Sequence, residues 1–392
     1  MESVVIVDGA RTPIGAFLGA LSPLTAPQLG AIAIREALRR ASLSPEDVDE
    51  VFMGCVLTGG MGQAPARQAA LGAGLPDSVP CTTINKVCGS GMKAVMLAAQ
   101  AIRAGDAQSL VAGGMESMSN APYALEKARS GYRMGNGNLL DLMIHDGLWD
   151  PYDQCHMGEC GDATAQAEGF AREELDAFAA ESYRRAQDAQ ADGRLAEEIV
   201  PVAVPQRRGD PIVIEHDEEP GKGDPGKLPS LRPAFNKEGV TTAGNASSIN
   251  DGAAALIVMA ESEASRRGLT PLARLVTATQ HAHAPLQFPI APAFAVQKLL
   301  DKAKLSPTDI DLYEVNEAFA VVALAVARRV GIPLDRLNVN GGAVAIGHPI
   351  GMTGARLVLT AGYELRRRGG RYAVATPCIG GGEATAVLLE RV

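Results

Sequence analysis

The chain reads as an α/β protein built from two duplicated βα halves, the first carrying a long insertion. An internal repeat is the strongest sign. Leu43-Ser44-Pro45-Glu46-Asp47-Val48-Asp49 returns as Leu305-Ser306-Pro307-Thr308-Asp309-Ile310-Asp311, and a helical pattern precedes each copy, ending near Arg40 and Lys302. Gly91-Met92-Lys93-Ala94-Val95 then aligns with Gly354-Ala355-Arg356-Leu357-Val358 in nearly the same register, and Ser109–Ala112 aligns with Tyr372–Ala375. The second sign is a break in that register. Gly252–Val258 resembles Glu383–Leu389 at a much shorter spacing, so the first half holds about 130 extra residues between Met115 and Asp251. The third sign is alternation of strand and helix patterns in both halves.

Taken in order, Val4–Val7 is a β-branched apolar run and predicts a first buried strand. Ala31–Arg40 has a helical period, Val51–Met53 a strand pattern, and Met92–Arg103 a second helical period. Ser109–Ala112 and Leu256–Met259 predict further strands. The insertion holds a helical stretch over Ala171–Ala191, the only tryptophan (Trp149), and a Gly/Pro/charge-rich segment, Asp217–Pro233. The boundaries expected are 1–118 for the N-terminal half, completed by 249–269, then 119–248 for an inserted loop domain over the site, then 270–392 for the C-terminal half. Long insertions of this kind commonly carry function.

Composition narrows the function classes. With 46% hydrophobic and 21% charged residues the chain is expected to be globular, and no apolar run is long enough for a membrane span. The start, Met1-Glu2-Ser3-Val4, lacks the basic region of a signal peptide. Six cysteines without framework spacing predict reduced thiols and a cytoplasmic location. A net charge of −9 argues against nucleic-acid partners.

The candidate chemistry starts at Cys88, in Asn85-Lys86-Val87-Cys88-Gly89-Ser90-Gly91-Met92-Lys93-Ala94, where a strand meets a glycine turn and a helix. A helix start favours thiolate, which is the nucleophilic form. Alone, the cysteine reads more readily as a small buried hydrophobe. The second half supplies companions. Asn316-Glu317-Ala318-Phe319 follows a strand, Asn340-Gly341-Gly342-Ala343-Val344-Ala345-Ile346-Gly347-His348-Pro349 precedes a helix, and Cys378-Ile379-Gly380-Gly381-Gly382 lies between two strands. In repeat register Cys88 falls opposite Gly351, so His348 belongs to the equivalent turn. A thiol with an imidazole makes an activated nucleophile, a second thiol can move a proton at carbon, and glycine-flanked N–H groups with an amide can hold an oxyanion.

These motifs, in this order, resemble the signatures of the thiolase family, and the resemblance covers essentially the whole chain. It implies a five-layer αβαβα core with the inserted loop domain above it. It implies that Cys88 carries the acyl group, that His348 activates it, that Cys378 removes and returns the α-proton of a second acyl-CoA, and that Asn316 holds a water which completes an oxyanion hole with His348. Backbone N–H groups of Cys88 and Gly380 form the other hole. Leu148, His156, Met157, Ala243, Ser247, Ala318 and Phe319 map onto CoA-contacting or pocket-lining places. The His156-Met157-Gly158 run implies the acetoacetyl-CoA type rather than the long-chain type, because methionine crowds the acyl tunnel. The partners implied are acetyl-CoA, acetoacetyl-CoA and CoA, with no cofactor, no metal, and a homotetramer. Departures stand at Gly351-Met352-Thr353-Gly354, at Glu383-Ala384-Thr385 and at Asp153-Gln154-Cys155.

Other readings compete. A broad-range 3-ketoacyl-CoA thiolase shares the motifs, and a β-ketoacyl synthase-type enzyme shares the fold but usually uses two histidines, or histidine with asparagine. A nicotinamide-binding enzyme would need more than the loose Gly89-Ser90-Gly91-Met92-Lys93-Ala94 fingerprint. A zinc module at Cys155, His156 and Cys160 lacks Cys-x-x-Cys spacing.

Overall fold

The computed structural model describes residues 2–392. The first half holds strands β1 (Val4–Arg11), β2 (Glu50–Gly54), β3 (Cys81–Ile84) and β4 (Ser109–Ser117), with helices α1 (Ala26–Arg40), α2 (Pro65–Ala73) and α3 (Ser90–Ala104). The insertion adds a hairpin, β5 (Trp149–Asp150) and β6 (Cys155–His156), and helices α4 (Met157–Glu168) and α5 (Arg172–Ala191). Strand β7 (Asn250–Ala260) returns to the first half. The second half holds β8 (Ala273–Ala282), α6 (Ala291–Ala303), β9 (Leu312–Val315), α7 (Ala320–Val330), α8 (Ile350–Arg368), β10 (Tyr372–Thr376), β11 (Cys378–Ile379) and β12 (Glu383–Glu390).

Sheet order displays the duplication. The main path of an 11-stranded sheet runs β9-β10-β12-β8-β1-β7-β4-β2-β3, with β11 paired to β12. Outward from the centre, β1-β7-β4-β2 and β8-β12-β10-β9 match in repeat order. The halves meet where β1 and β8 pair antiparallel, Val4 opposite Leu275. The sheets of the two duplicated halves are therefore hydrogen-bonded at one edge.

Helices α3 and α8 pack on each other and on strands of the sheet. Their apolar residues share one core with inward residues of both halves, among them Leu110, Leu256, Ala375 and Leu389. Helix α8 is covered on every side: Ile350–Leu365 is buried throughout, and the one arginine in it, Arg356, pairs with Glu314 at 3.3 Å. Close approach here needs glycine: a Cβ at Gly91 would lie 2.8 Å from the Ala355 nitrogen. Helices α1 and α2 cover the outer face of the first half, and α6 and α7 that of the second. Helix, sheet, helix, sheet, helix is thus the layer order. Helix α1 shows the local causes: Gln28 accepts a hydrogen bond from the Thr25 N–H at 2.8 Å, Pro27 sits in the first turn, and Arg39 and Arg40 close the C-terminal end.

Arg11 anchors the insertion to β1. Its buried guanidinium pairs with Glu198 at 2.7 Å and with Asp217 at 2.7 Å. Among the described residues no helix is long and apolar enough to cross a membrane.

Candidate active site

Cys88 sits between β3 and α3 in a tightly held turn. Val87 has φ 45°, a strained conformation for a β-branched residue. The turn is fixed by local bonds: Val87 N–H donates to Asn85 Oδ1 at 3.0 Å, Lys86 N–H to Ser90 Oγ at 2.8 Å, and Ser90 Oγ to the Val87 carbonyl at 2.7 Å. The strain aims the cysteine at a cavity of about 340 Å³ lined by Cys88, His348 and Gly380 together with insertion residues.

Burial pushes Cys88 up to about 11, and the Gly380 and Cys88 N–H groups only partly oppose it. Losing water works against the helix-start effect and outweighs the two backbone donors. A thiol so held needs a base before it can act as a nucleophile.

His348 has the properties of that base. Burial, then the positive Arg356, hold it neutral, down at about 3. Its Nδ1 lies 2.7 Å from Thr353 Oγ1, and that hydroxyl donates to the Pro349 carbonyl at 2.9 Å. The hydroxyl proton is therefore committed, so Nδ1 carries the ring proton and Nε2 keeps its lone pair. Asn316 Nδ2 faces Nε2 at 3.3 Å, which agrees with this tautomer. The His348 N–H donates to Asn250 Oδ1 at 2.8 Å, and Gly347, at φ 100°, packs so closely on Asn250 that a Cβ would clash at 2.4 Å. Cys88 and His348 face one cavity without a hydrogen bond between them, so the activated pair expected from the motifs is not yet closed.

Cys378 and Asn316 stand just behind the cavity wall, both fully buried. Burial, then nearby Cys88, push the Cys378 thiol well up, which makes its thiolate a strong base. Asn316 Oδ1 is buried without a protein partner. Glu317, unassigned from sequence, braces this region: it accepts from Ser182 at 2.7 Å, Asn338 at 2.8 Å and the Val344 N–H at 3.2 Å.

The sequence-predicted wall residues Leu148, His156, Met157 and Ala243 line the cavity, as do Ser247, Ala318 and Phe319. Ser247 N–H donates to the Ala318 carbonyl at 2.9 Å, joining the insertion to the Asn316 segment. His156 caps α4 by accepting the Gly158 N–H on Nδ1 at 3.1 Å, which leaves Nε2 as a donor. Its ring stacks on Phe235 with centroids 4.6 Å apart, and Phe235 meets Phe319 edge-on at 6.2 Å. A Cβ built at Gly380 would meet Met157 Sδ at 3.4 Å, so the methionine narrows the cavity directly over the thiol-facing loop. Lys222 and Lys227 pair with acidic neighbours at 3.7 Å and 3.1 Å.

Sequence reasoning missed Thr353, Asn250, Phe235 and Glu116. Thr353 alone had a signal, since it lies in the departure after His348-Pro349. Glu116 accepts the N–H groups of Val56 at 3.0 Å, Leu57 at 3.1 Å and Gly351 at 2.9 Å, and so ties the two halves together beside the site. Burial raises it to about 7.

Comparison with known proteins agrees with this architecture. The thiolase N-terminal domain matches residues 4–262 and the thiolase C-terminal domain residues 269–391. The chain is 50% identical over 392 residues to an acetyl-CoA acetyltransferase of Thiocystis violacea and 51% identical over 392 residues to one of Cupriavidus necator, covering 100% of both chains in each case. Its fold matches a crystal structure of a thiolase from Ascaris suum in complex with coenzyme A, with TM-score 0.94, 41% identity and 100% of both chains covered. With a strained cysteine turn, a neutral buried histidine and a second buried thiol gathered at the join of two duplicated halves, this chain belongs to the thiolase family.

Proposed function

We propose that the chain is an acetyl-CoA C-acetyltransferase, which condenses two acetyl-CoA into acetoacetyl-CoA and CoA, reversibly, through an acetyl-Cys88 intermediate. The observation that carries this reading is the single cavity bounded by Cys88, His348 and Gly380 on one side and Met157 on the other. His348 Nε2 takes the Cys88 proton as sulfur attacks the thioester carbonyl and keeps it, while Cys378 gives its own proton to the departing CoA thiolate. Backbone N–H groups of Cys88 and Gly380 hold the oxyanion. The Cys378 thiolate then takes an α-proton from the second acetyl-CoA. The enolate oxygen rests against His348, now carrying hydrogen on Nε2, and a water held by Asn316. The enolate carbon attacks acetyl-Cys88, and the product leaves as the Cys88 sulfur departs and regains a proton. No cofactor enters these steps; the CoA thioesters are substrates.

Thiolysis kinetics with acetoacetyl-CoA against longer 3-ketoacyl-CoAs test the assignment. Strong preference for acetoacetyl-CoA is expected, because Met157, Phe235 and Phe319 close the acyl end. Equal or better rates on long chains would sink it. The enzyme is further proposed to work in the cytoplasm as a homotetramer of 40.8 kDa chains. The exposed apolar residues Tyr123, Met134 and Leu139 on one loop support assembly. Light scattering showing a single-chain mass would overturn that.

A further inference from the structure

Cys155 and Cys160 take no part in the proposed reaction. In the hairpin of β5 and β6, Asp150 lies opposite Cys155. Helix α4 begins two residues later and brings Cys160 back, so that the two sulfurs lie 3.7 Å apart. Asp150 is only 1% exposed. One of its oxygens, Oδ1, accepts the N–H groups of Tyr152 at 2.8 Å and Asp153 at 3.4 Å. The other, Oδ2, is buried and has no partner. A bare buried carboxylate oxygen is costly and asks for a cation or a donor. An oxygen of Asp150 and both sulfurs all lie within 4.8 Å of one another.

The spacing is informative. Metal–sulfur bonds of about 2.3 Å at a tetrahedral angle separate two sulfurs by about 3.8 Å, close to the 3.7 Å found here. Two thiols and a carboxylate are a donor set suited to a borderline-soft dication. The sequence argument against zinc relied on the missing Cys-x-x-Cys spacing. It could not see that the third donor arrives from the opposite strand of a hairpin.

We infer that Asp150, Cys155 and Cys160 form a binding site for one thiophilic divalent cation of the zinc class, with water as the fourth ligand. Two thiol protons pass to solvent as the cation binds, and the carboxylate stays ionised. The cation clips the β5–β6 hairpin to the start of α4. Leu148 precedes that hairpin, His156 is its last residue and Met157 follows it, and all three line the acyl cavity. The site is thus a structural clip on the pocket wall and supplies no chemistry to the acyl transfer.

The test uses the full chain without a histidine tag, equilibrated with micromolar zinc and freed of excess by gel filtration. Elemental analysis is expected to find one zinc per chain in the wild type and in Cys88→Ala. The double variant Cys155→Ser/Cys160→Ser should fall to background. Cobalt(II) substituted into the wild type should show sulfur-to-metal charge transfer and tetrahedral d–d bands. Asp150→Asn should weaken zinc at least tenfold in competition with a chromophoric chelator. It keeps the test open if the double variant does not fold. Absence of stoichiometric metal from the wild type, metal retained without both thiols, or a Cys155–Cys160 disulfide in freshly isolated protein would each overturn the site.

Discussion

Lowering the pH from 7.5 to 5 should cost the folded protein about 2 kcal/mol through His348 alone. The imidazole is held neutral at about 3 by burial and by Arg356, against an ordinary value of 6.5. Below 6.5 the unfolded chain binds a proton that the native site refuses, so stability is lost as pH falls from 6.5 toward 3. Each unit in that window costs roughly 1.4 kcal/mol, reaching about 2 kcal/mol at pH 5 and roughly 5 kcal/mol by pH 3. Glu116, raised to about 7, acts in the opposite sense, since its native form takes up a proton first. The clean measurement is therefore a difference. Urea unfolding of wild type and His348→Gln at both pH values, followed by the fluorescence of Trp149, cancels Glu116 and the other titrating groups. The wild type should lose about 2 kcal/mol more than the variant on acidification. Equal losses would show that His348 titrates normally, and the neutral-base assignment would fall with it.

Thr353→Val removes the hydroxyl that accepts from Nδ1 and should lower kcat on the order of 10²-fold with little change in KM. Thr353→Ser should restore it, whereas an unrescued loss would point to packing alone. Iodoacetamide should label Cys88 before the buried Cys55, Cys160 and Cys378, with protection by acetyl-CoA and slower labelling in His348→Gln; retained activity in Cys88→Ala would end the proposed mechanism. Arg11→Met leaves Glu198 and Asp217 buried without their cation and should destabilise the fold by about 3–5 kcal/mol by denaturant unfolding. A change below 1 kcal/mol would show that the insertion is not anchored there.

Much of the framework was legible because it rests on local pattern. The repeated Leu-Ser-Pro elements and the register between Gly91 and Gly354 foretold two similar βα halves, though not that their sheets join in one hydrogen-bonded path. The same register foretold that the turns bearing Cys88 and His348 precede adjacent helices. The wall residues were legible only through the resemblance, because nothing in the spacing of Leu148, Ala243 and Phe319 says that they meet. Asn250 and Glu116 were invisible for a related reason. Their partners, the N–H groups of His348 and Gly351, lie in the other half of the chain.

The sequence by itself determined the elements, their duplication, the order of the four motifs and the identity of the chemical groups. These follow from periodicity and residue type, which act over a few neighbours. The state of those groups follows from the fold. Cys88 lies at a helix start that favours thiolate, yet its thiol is pushed up to about 11, because loss of water outweighs the Gly380 and Cys88 N–H groups. His348 became a base with its lone pair on Nε2 because Thr353 and Pro349 committed the other nitrogen. Asp150 met two sulfurs because a hairpin and a helix start folded onto one point. Protonation, tautomer and coordination depend on which atoms exclude water and which donors face each other, and residues distant in the chain supply both.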